Sequence, residues 1–570
     1  MRPKQQNSKR LFVIIGAALV LLAAVTIKGP GYVHAVFFDE FSARTAEPVA
    51  AVFNPADSAS TRLLNMPHYT LFWKNTSLKL NGSDKLLALL KKGDAMITVE
   101  TWLETYAGTQ DGSNVLDAIL NGKFDHNIVE LAGIINKTPH TIYVRLNPDM
   151  EVPVYQFPWQ YKSPELYIRA FNYVAAKLKR TAPAVKIVWG PSGFPGDTES
   201  WPGTDWVDMA CITLGSQSEQ STQAYPYQPK LPEMLFSKLH RMRFIGKPVM
   251  VLGGQATVNV QFNLNWLRQQ FESEQRNRAD IYSPQNYISG EAKKPVRQKL
   301  EVGVFDPNRR LVNNPNISVE HIFTDWGEIE RNDFKLKFDS IITRRHDAVV
   351  TVEPWRDTSK RSDANVLQST LDGRYDKIIQ KLYQIISNCG QTVYLRFAHE
   401  MEIPIHRYAW QSKNPVTYIK AYRYFMLADK IHANNIKRVW GPAGDRGSAD
   451  WWPGSDVVDY ISIAIYGLPD KNITDPNKQE PFSTIFERKY YRMRFLNRPL
   501  FITEFGVKGP EDYQRNWLMG AAKTLRANKH VFGICYFNLY DNPKAWGGIK
   551  APDWSISPKN MQLFCRGVNE

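Results

Sequence analysis

The chain repeats itself at long range. Trp73 and Trp326 lie 253 positions apart, each five residues after a histidine (His68, His321). Met96–Trp102 (MITVETW) matches Val349–Trp355 (VVTVEPW) at the same spacing. Tyr143–Pro153 (YVRLNPDMEVP) matches Tyr394–Pro404 (YLRFAHEMEIP) at 251. That offset also pairs Val188-Trp-Gly-Pro191 with Val439-Trp-Gly-Pro442, Trp201-Pro-Gly with Trp452-Pro-Gly, and Asn265-Trp with Asn516-Trp. A near-constant offset over the whole length means two copies of one fold, 45–290 and 298–570. The polar, basic stretch Gly290–Lys299 joins them as a linker.

Within a copy, short apolar runs alternate with amphipathic stretches. In the second copy the runs are Val302–Phe305, His321–Asp325, Ala348–Val352, Thr392–Phe397, Arg438–Trp440, Val458–Ile465, Pro499–Thr503 and Phe532–Phe537. Helix-like segments such as Tyr375–Ser387 and Pro415–Ala433 separate several of them. Eight such units in about 270 residues is the count of a (β/α)8 barrel. The first copy shows counterparts of seven runs; its eighth, Ile281–Tyr287, is interrupted by Pro284. The expected fold class is α/β: two tandem (β/α)8 TIM barrels behind an N-terminal membrane-anchor helix.

Residues 1–10 carry Arg2, Lys4, Lys9 and Arg10 and no acid, and 11–27 carry no charge. Seventeen apolar residues just span a bilayer core. The basic flank then stays in the cytoplasm and both copies are exported, to the periplasmic face of an inner membrane. A cleaved signal peptide competes with this anchor, but its best cleavage context, Val33-His34-Ala35, lies beyond Lys28 and a Gly-Pro-Gly turn. The net charge of +15 suits an anionic polymer or a lipid surface. No basic-aromatic run or zinc spacing points to nucleic acid, and export argues against it. Four cysteines in 570 residues exclude a disulfide framework; outside the cytoplasm they allow a Cys389–Cys565 bridge, which nothing in the sequence demands.

Chemistry in such a barrel sits where strands end. The fourth run closes Arg396-Phe-Ala-His-Glu400; side-chain alternation puts Arg396, Ala398 and Glu400 on one face. The seventh closes Ile502-Thr-Glu504-Phe-Gly506, and the third ends in Glu353 and Trp355. Two strand-end carboxylates fit retaining glycoside hydrolysis: one releases the leaving sugar as an acid, the other attacks the anomeric carbon. A separation of about 5–5.5 Å allows the covalent route. Neither metal nor organic cofactor is needed.

On Val350–Trp355 (VTVEPW), Arg396–Met401 (RFAHEM), Val439–Pro442 (VWGP), Pro453–Asp459 (PGSDVVD) and Ile502–Gly506 (ITEFG), the second copy resembles glycoside hydrolase family 26. That family comprises retaining β-mannanases and β-1,3-1,4-glucanases on the (β/α)8 fold, and the motifs cover strands three to seven in order. The resemblance implies Glu400 as general acid/base, Glu504 as nucleophile, His399 against the sugar beside the cleaved bond, and Tyr466 hydrogen-bonded to the nucleophile. Trp355 and Trp440 would be mouth residues, and Trp410 and Trp452 loop platforms for sugar. Arg396 would position the carboxylates. Two departures stand out: Glu402-Ile-Pro404 replaces the Asn-Gly after the HEM of many mannanases, and the eighth strand (CYFNLYD, 535–541) lacks a Trp often found there.

The first copy fails the same test. Asp149 stands for Glu400, Pro148 for His399, Gly253 for Glu504 and Gly215 for Tyr466. Without a carboxylate at 253 no glycosyl-enzyme forms, so this barrel is expected to brace its neighbour or to bind a chain through Trp102, Tyr155, Trp159 and Trp201. The function expected of the whole is a membrane-anchored retaining endo-β-glycanase cutting β-mannan or mixed-linkage or β-1,4-glucan, beside a polysaccharide synthase as partner. The alternative is a non-hydrolytic carbohydrate-binding scaffold of an exopolysaccharide export system.

Overall fold

A computed structural model describes residues 41–44, 49–53, 66–74, 82–103, 114–214, 231–253, 269, 299–355, 363–404, 407–467, 480–543 and 550–569. The expected anchor 11–27, the linker up to 298, and Gly215 lie outside them. Among the described residues no helix is long and apolar enough to cross a membrane. The chain divides into two compact units between Ala279 and Asp280.

The first unit carries β1 (Phe41–Arg44), β2 (Val49–Phe53), β3 (His68–Lys74), β4 (Ala95–Trp102), β5 (Ile142–Leu146), β6 (Lys186–Trp189), β7 (Met209–Leu214) and β8 (Val249–Gly253). β3 to β8 are parallel neighbours in order. β1 and β2 flank them antiparallel, on β3 and β8 respectively. A second complete (β/α)8 ring is therefore not what the described residues form. The positions of strands one and eight are taken by chain running the other way, and Ile281–Tyr287 lies outside the described residues.

The second unit carries β9 (Glu301–Phe305), β10 (Val319–Asp325), β11 (Asp347–Glu353), β12 (Val393–Phe397), β13 (Ile436–Trp440), β14 (Tyr460–Ile461), β15 (Ala464–Gly467), β16 (Leu500–Val507) and β17 (Val531–Phe537). All pairings are parallel. β9 joins both β10 and β17, and β14 joins both β13 and β16, so the sheet closes on itself. β14 and β15 together fill the sixth position, which makes an eight-position barrel. Its floor is a layer of inward side chains, Val319, Val349, Tyr394, Val439, Phe501 and Cys535. Gly303 belongs to this layer by necessity, because a Cβ there would lie 2.6 Å from Cys535 Sγ.

The outer layer departs from eight helices. No α-helix follows β9 or β13 among the described residues. The connections there, 306–318 and 441–459, are rich in Pro, Gly and Asn, which do not sustain a helix. All four cysteines are free thiols, so no Cys389–Cys565 bridge forms.

Candidate active site

The barrel interior is built in layers. Above the apolar floor, His321, Thr351, Arg396 and Thr503 project inward one strand step higher. Arg396, 2% exposed, uses its whole fork there. Nε donates to Thr351 Oγ1 (2.8 Å), Nη1 to Thr503 Oγ1 (2.8 Å) and Nη2 to Glu504 Oε1. His321 Nδ1 lies 3.0 Å from the Thr503 carbonyl oxygen, and Nε2 lies 2.8 Å from Thr351 Oγ1. The carbonyl requires a proton on Nδ1, and a neutral ring then has Nε2 accept from the Thr351 hydroxyl. Burial and the Arg396 charge hold His321 well below the usual histidine range, in agreement.

Glu504 reaches this cluster through an irregularity in its strand. β16 spends three residues from Ile502 to Phe505 where β17 spends two, from Ile534 to Tyr536. The extra residue is a bulge, which re-aims a side chain. Thr503 and Glu504 thereby both bond to Arg396, which simple alternation forbids. Tyr466 donates its hydroxyl to Glu504 Oε2 (3.1 Å). Burial alone would push the Glu504 carboxyl up. The Arg396 guanidinium and the Arg396 and Tyr466 hydrogen bonds outweigh it and hold the carboxyl below the usual range. With His321 neutral, the depression belongs to Arg396 and Tyr466.

Glu400 is placed by strained backbone. β12 ends at Phe397, and both Ala398 (φ 48°) and Glu400 (φ 53°) are left-handed. The Ala398 N–H bonds to Val352 O (3.0 Å) and the Glu400 N–H to Gly441 O (2.8 Å). Strand alternation therefore does not carry Glu400 to the mouth; a tight turn fastened to β11 and β13 does. Burial, then the Glu504 charge, raises the Glu400 carboxyl to about 8. Glu353, at the end of β11, is raised to about 8 by the same two causes in the same order.

Glu353, His399, Glu400, Tyr466 and Glu504 line one cavity of about 740 Å³, with Arg407, Tyr408, Phe323, Phe537, Asp541 and Trp554 among the other walls. It continues over the end of β10 past Asp325 and Glu328, where the helix after β9 is missing. The volume suits a small-molecule or oligomer site. One cavity thus holds a carboxyl pushed down, Glu504, and one pushed up, Glu400, an arrangement able to supply a base or nucleophile and an acid.

The tryptophans are placed differently from expectation. Trp355, Trp410, Trp440 and Trp452 are each at most 4% exposed, and none lines the cavity. Trp355 packs on Trp410 (4.9 Å between ring centroids) and Trp440 on Trp452 (5.1 Å). They have no free face for a sugar. The first unit repeats the packing, Trp189 on Trp201 (5.0 Å) and Trp102 against Trp159 (6.0 Å), with the same burial. Indoles paired in the same way in both copies are packing. The expectation that Trp102, Trp159 and Trp201 hold a chain falls with them, since a chain needs an exposed ring.

In the first unit, Arg145 donates to Thr213 Oγ1 (2.9 Å) and lies 3.4 Å from Asp149 Oδ1. Asp149 keeps the left-handed backbone of Glu400 (φ 56°) and its bond to the equivalent carbonyl, Gly190 O (2.9 Å). The framework is intact and the second carboxylate is absent at Gly253. His321, Thr351, Thr503 and Arg407 went unread as site residues. For His321 and Thr351 the signal was the repeat, which keeps His68 and Thr98 at the matching positions; there His68 Nε2 lies 2.7 Å from Thr98 Oγ1.

No family model matches the chain. It is similar to a β-1,3-xylanase from an Alcaligenes species, 27% identical over 155 residues, 26% of this chain and 29% of the relative. It is also similar to endoglucanase H of Acetivibrio thermocellus, 24% identical over 274 residues, 44% of this chain and 27% of the relative. The chain spans less than a third of the length of these relatives. Among solved structures, a GH26 β-mannanase from Bacteroides ovatus matches at 13% identity and a TM-score of 0.35, over 48% of this chain and 88% of that one. By sequence the chain is glycoside hydrolase-like.

Proposed function

We propose that the second unit is a retaining β-glycan hydrolase of the family 26 type and that the first is a non-catalytic copy. The observation that carries this is the opposite poise of two carboxyls in one cavity: Glu504 held ionised by Arg396, and Glu400 held protonated to about pH 8. In the first step the Glu504 carboxylate attacks the anomeric carbon. The bond from that carbon to the leaving oxygen breaks, and the Glu400 proton goes to that oxygen. A glycosyl ester on Glu504 and an ionised Glu400 result. Consuming the Glu504 charge removes one cause of the raised Glu400 carboxyl. In the second step Glu400 takes a proton from water, the hydroxide oxygen bonds to the anomeric carbon, and Glu504 leaves as carboxylate. Arg396 acts through Glu504 as a positioning residue, and His399 and Tyr466 border the sugar.

Tethering through 11–27, export, and work beside a polysaccharide synthase belong to the same proposal. The test is reducing-end release by the full-length protein from β-1,3-xylan, β-mannan, mixed-linkage glucan and β-1,4-glucan, beside Glu504→Ala. Release by wild type alone supports the proposal. Release by neither protein, or equally by both, favours the carbohydrate-binding scaffold.

A further inference from the structure

Arg407 stands out among the cations of the cavity. It is half-buried, lines the cavity at the end holding Glu400 and Tyr408, and rests 5.4 Å from the Tyr408 ring centroid. It forms no ion pair with a carboxylate of the described residues. The other cavity cations behave otherwise. Lys337 is paired with Glu328, Arg344 with Glu320, and Arg309 bonds to Ser340 at the far arm. A half-buried guanidinium with no carboxylate in ion-pair range is uncommon; burial opposes its charge, and the charges of Tyr408, Glu400, Asp541 and Glu353 at longer range outweigh burial and raise it above the usual range.

The loop that bears Arg407 does not need it. The loop is fastened to the turn of Glu400 by Trp410 Nε1 to His399 O (2.7 Å), Gln411 Nε2 to Glu400 O (3.0 Å) and Tyr408 N–H to Gln411 Oε1 (3.0 Å). The first unit holds the same loop with the same bonds: Trp159 Nε1 to Pro148 O (2.7 Å), Gln160 Nε2 to Asp149 O (3.1 Å) and Phe157 N–H to Gln160 Oε1 (3.0 Å). There the position of Arg407 is the neutral Gln156. The guanidinium therefore appears in the copy that has both carboxylates and is dispensable for the loop in the copy that does not.

Glu400, Asp541 and Glu353 face the guanidinium across the cavity without closing an ion pair on it. Glu400 and Glu353 stay protonated to about pH 8. Asp541 lies beyond ion-pair range and accepts from Asn542 N–H (2.8 Å). We infer that Arg407 recognises an anionic substituent on the polymer, so that the substrate is an acidic β-glycan bearing carboxylates of the uronate kind. A guanidinium is the side chain suited to a planar carboxylate, and the +15 charge of the chain draws such a polymer. The inference rests on the hydrolase proposal for this cavity.

The experiment compares carboxymethyl-cellulose with hydroxyethyl-cellulose, which share a backbone and differ in charge, using the full-length protein. Wild type should favour the carboxymethyl polymer about tenfold in kcat/KM, mostly through KM. Arg407→Met should erase the preference, and Arg407→Lys should keep part of it. Affinity electrophoresis of Glu504→Gln and Glu504→Gln/Arg407→Met in gels of either polymer reads binding without turnover. Retardation by the carboxymethyl polymer that Arg407→Met removes supports the inference even where neither polymer is cut, whereas absent cutting of every polymer counts against hydrolysis itself. Equal handling of the two polymers by wild type, or a preference unchanged in Arg407→Met, overturns the inference. Residual charge attraction is controlled by that variant, which loses one positive charge of an excess of fifteen.

Discussion

Arg396 and Glu504 are each other's condition. Removing the carboxylate leaves a buried guanidinium uncompensated, which typically costs about 3–5 kcal/mol. Glu504→Ala should therefore abolish hydrolysis and lower thermal stability as well, while Glu504→Gln should abolish hydrolysis with a smaller stability loss, because its amide oxygen still accepts from Arg396. Matched thermal melts and reducing-end assays check this, and an Ala variant as stable as wild type would break the coupling. The pH profile follows from the same pair. kcat/KM should fall on the alkaline side near pH 8 as Glu400 deprotonates, and the acid limb should lie below the usual glutamate range. Glu353 makes a separate linkage prediction. Its carboxyl is raised when folded, so the folded state binds more protons than the unfolded state between pH about 4.5 and 8, and stability falls as pH rises through that window. Glu353→Gln should match wild type near pH 5 and exceed it near pH 9 by up to roughly 4 kcal/mol, from a rise from 4.5 to about 8 at about 1.4 kcal/mol per pKa unit. Denaturant melts at both pH values measure the difference; an unchanged gap would remove the burial argument.

Among the elements, the VWGP turn explains itself once the barrel is seen. A Cβ on Gly441 would lie 2.5 Å from Arg396 Cδ, and one on Gly190 would lie 2.4 Å from Arg145 Nε. The glycine clears room for the arginine in both copies. Gly441→Ala should shift Arg396 off Glu504, reduce kcat by about 100-fold, as a misplacement of about 1 Å does, and raise the acid limb of the pH profile. An unshifted limb would place the loss elsewhere. What was legible in the sequence follows the same logic. In the second copy the strand runs, their order and the meeting of Glu400 and Glu504 at one cavity were readable, because apolar runs and strand-end acids survive in one dimension. The bulge at Thr503–Glu504 and the left-handed turn at Ala398–Glu400 were not. Strand alternation assumes regular backbone, and both carboxylates arrive through irregular backbone. The tryptophans were misread because an indole in a loop after a strand has the same sequence signature whether it faces a sugar or another indole. The missing helices after β9 and β13 were visible only as Pro, Gly and Asn content.

Across the whole molecule, the repeat acts as an internal control. What both copies keep is framework. Arg145 and Arg396 each reach from their strand to a threonine of another, Thr213 and Thr503, and Glu151 and Glu402 each fasten the next turn, Glu151 accepting from Gly193 N–H (2.9 Å) and Glu402 from Gly444 N–H (2.9 Å). Paired indoles recur as well. What only the second copy keeps is Glu504, Glu400, His399 and Arg407. The covalent route through Glu504 is the central claim, and the anomeric configuration of freshly released sugar tests it most directly. Proton NMR recorded during the first minutes of hydrolysis of a β-linked oligosaccharide should show the β-anomer first, with the α-anomer growing only by mutarotation. Appearance of the α-anomer first would mean single displacement by water and would contradict the assignment of Glu504 as nucleophile.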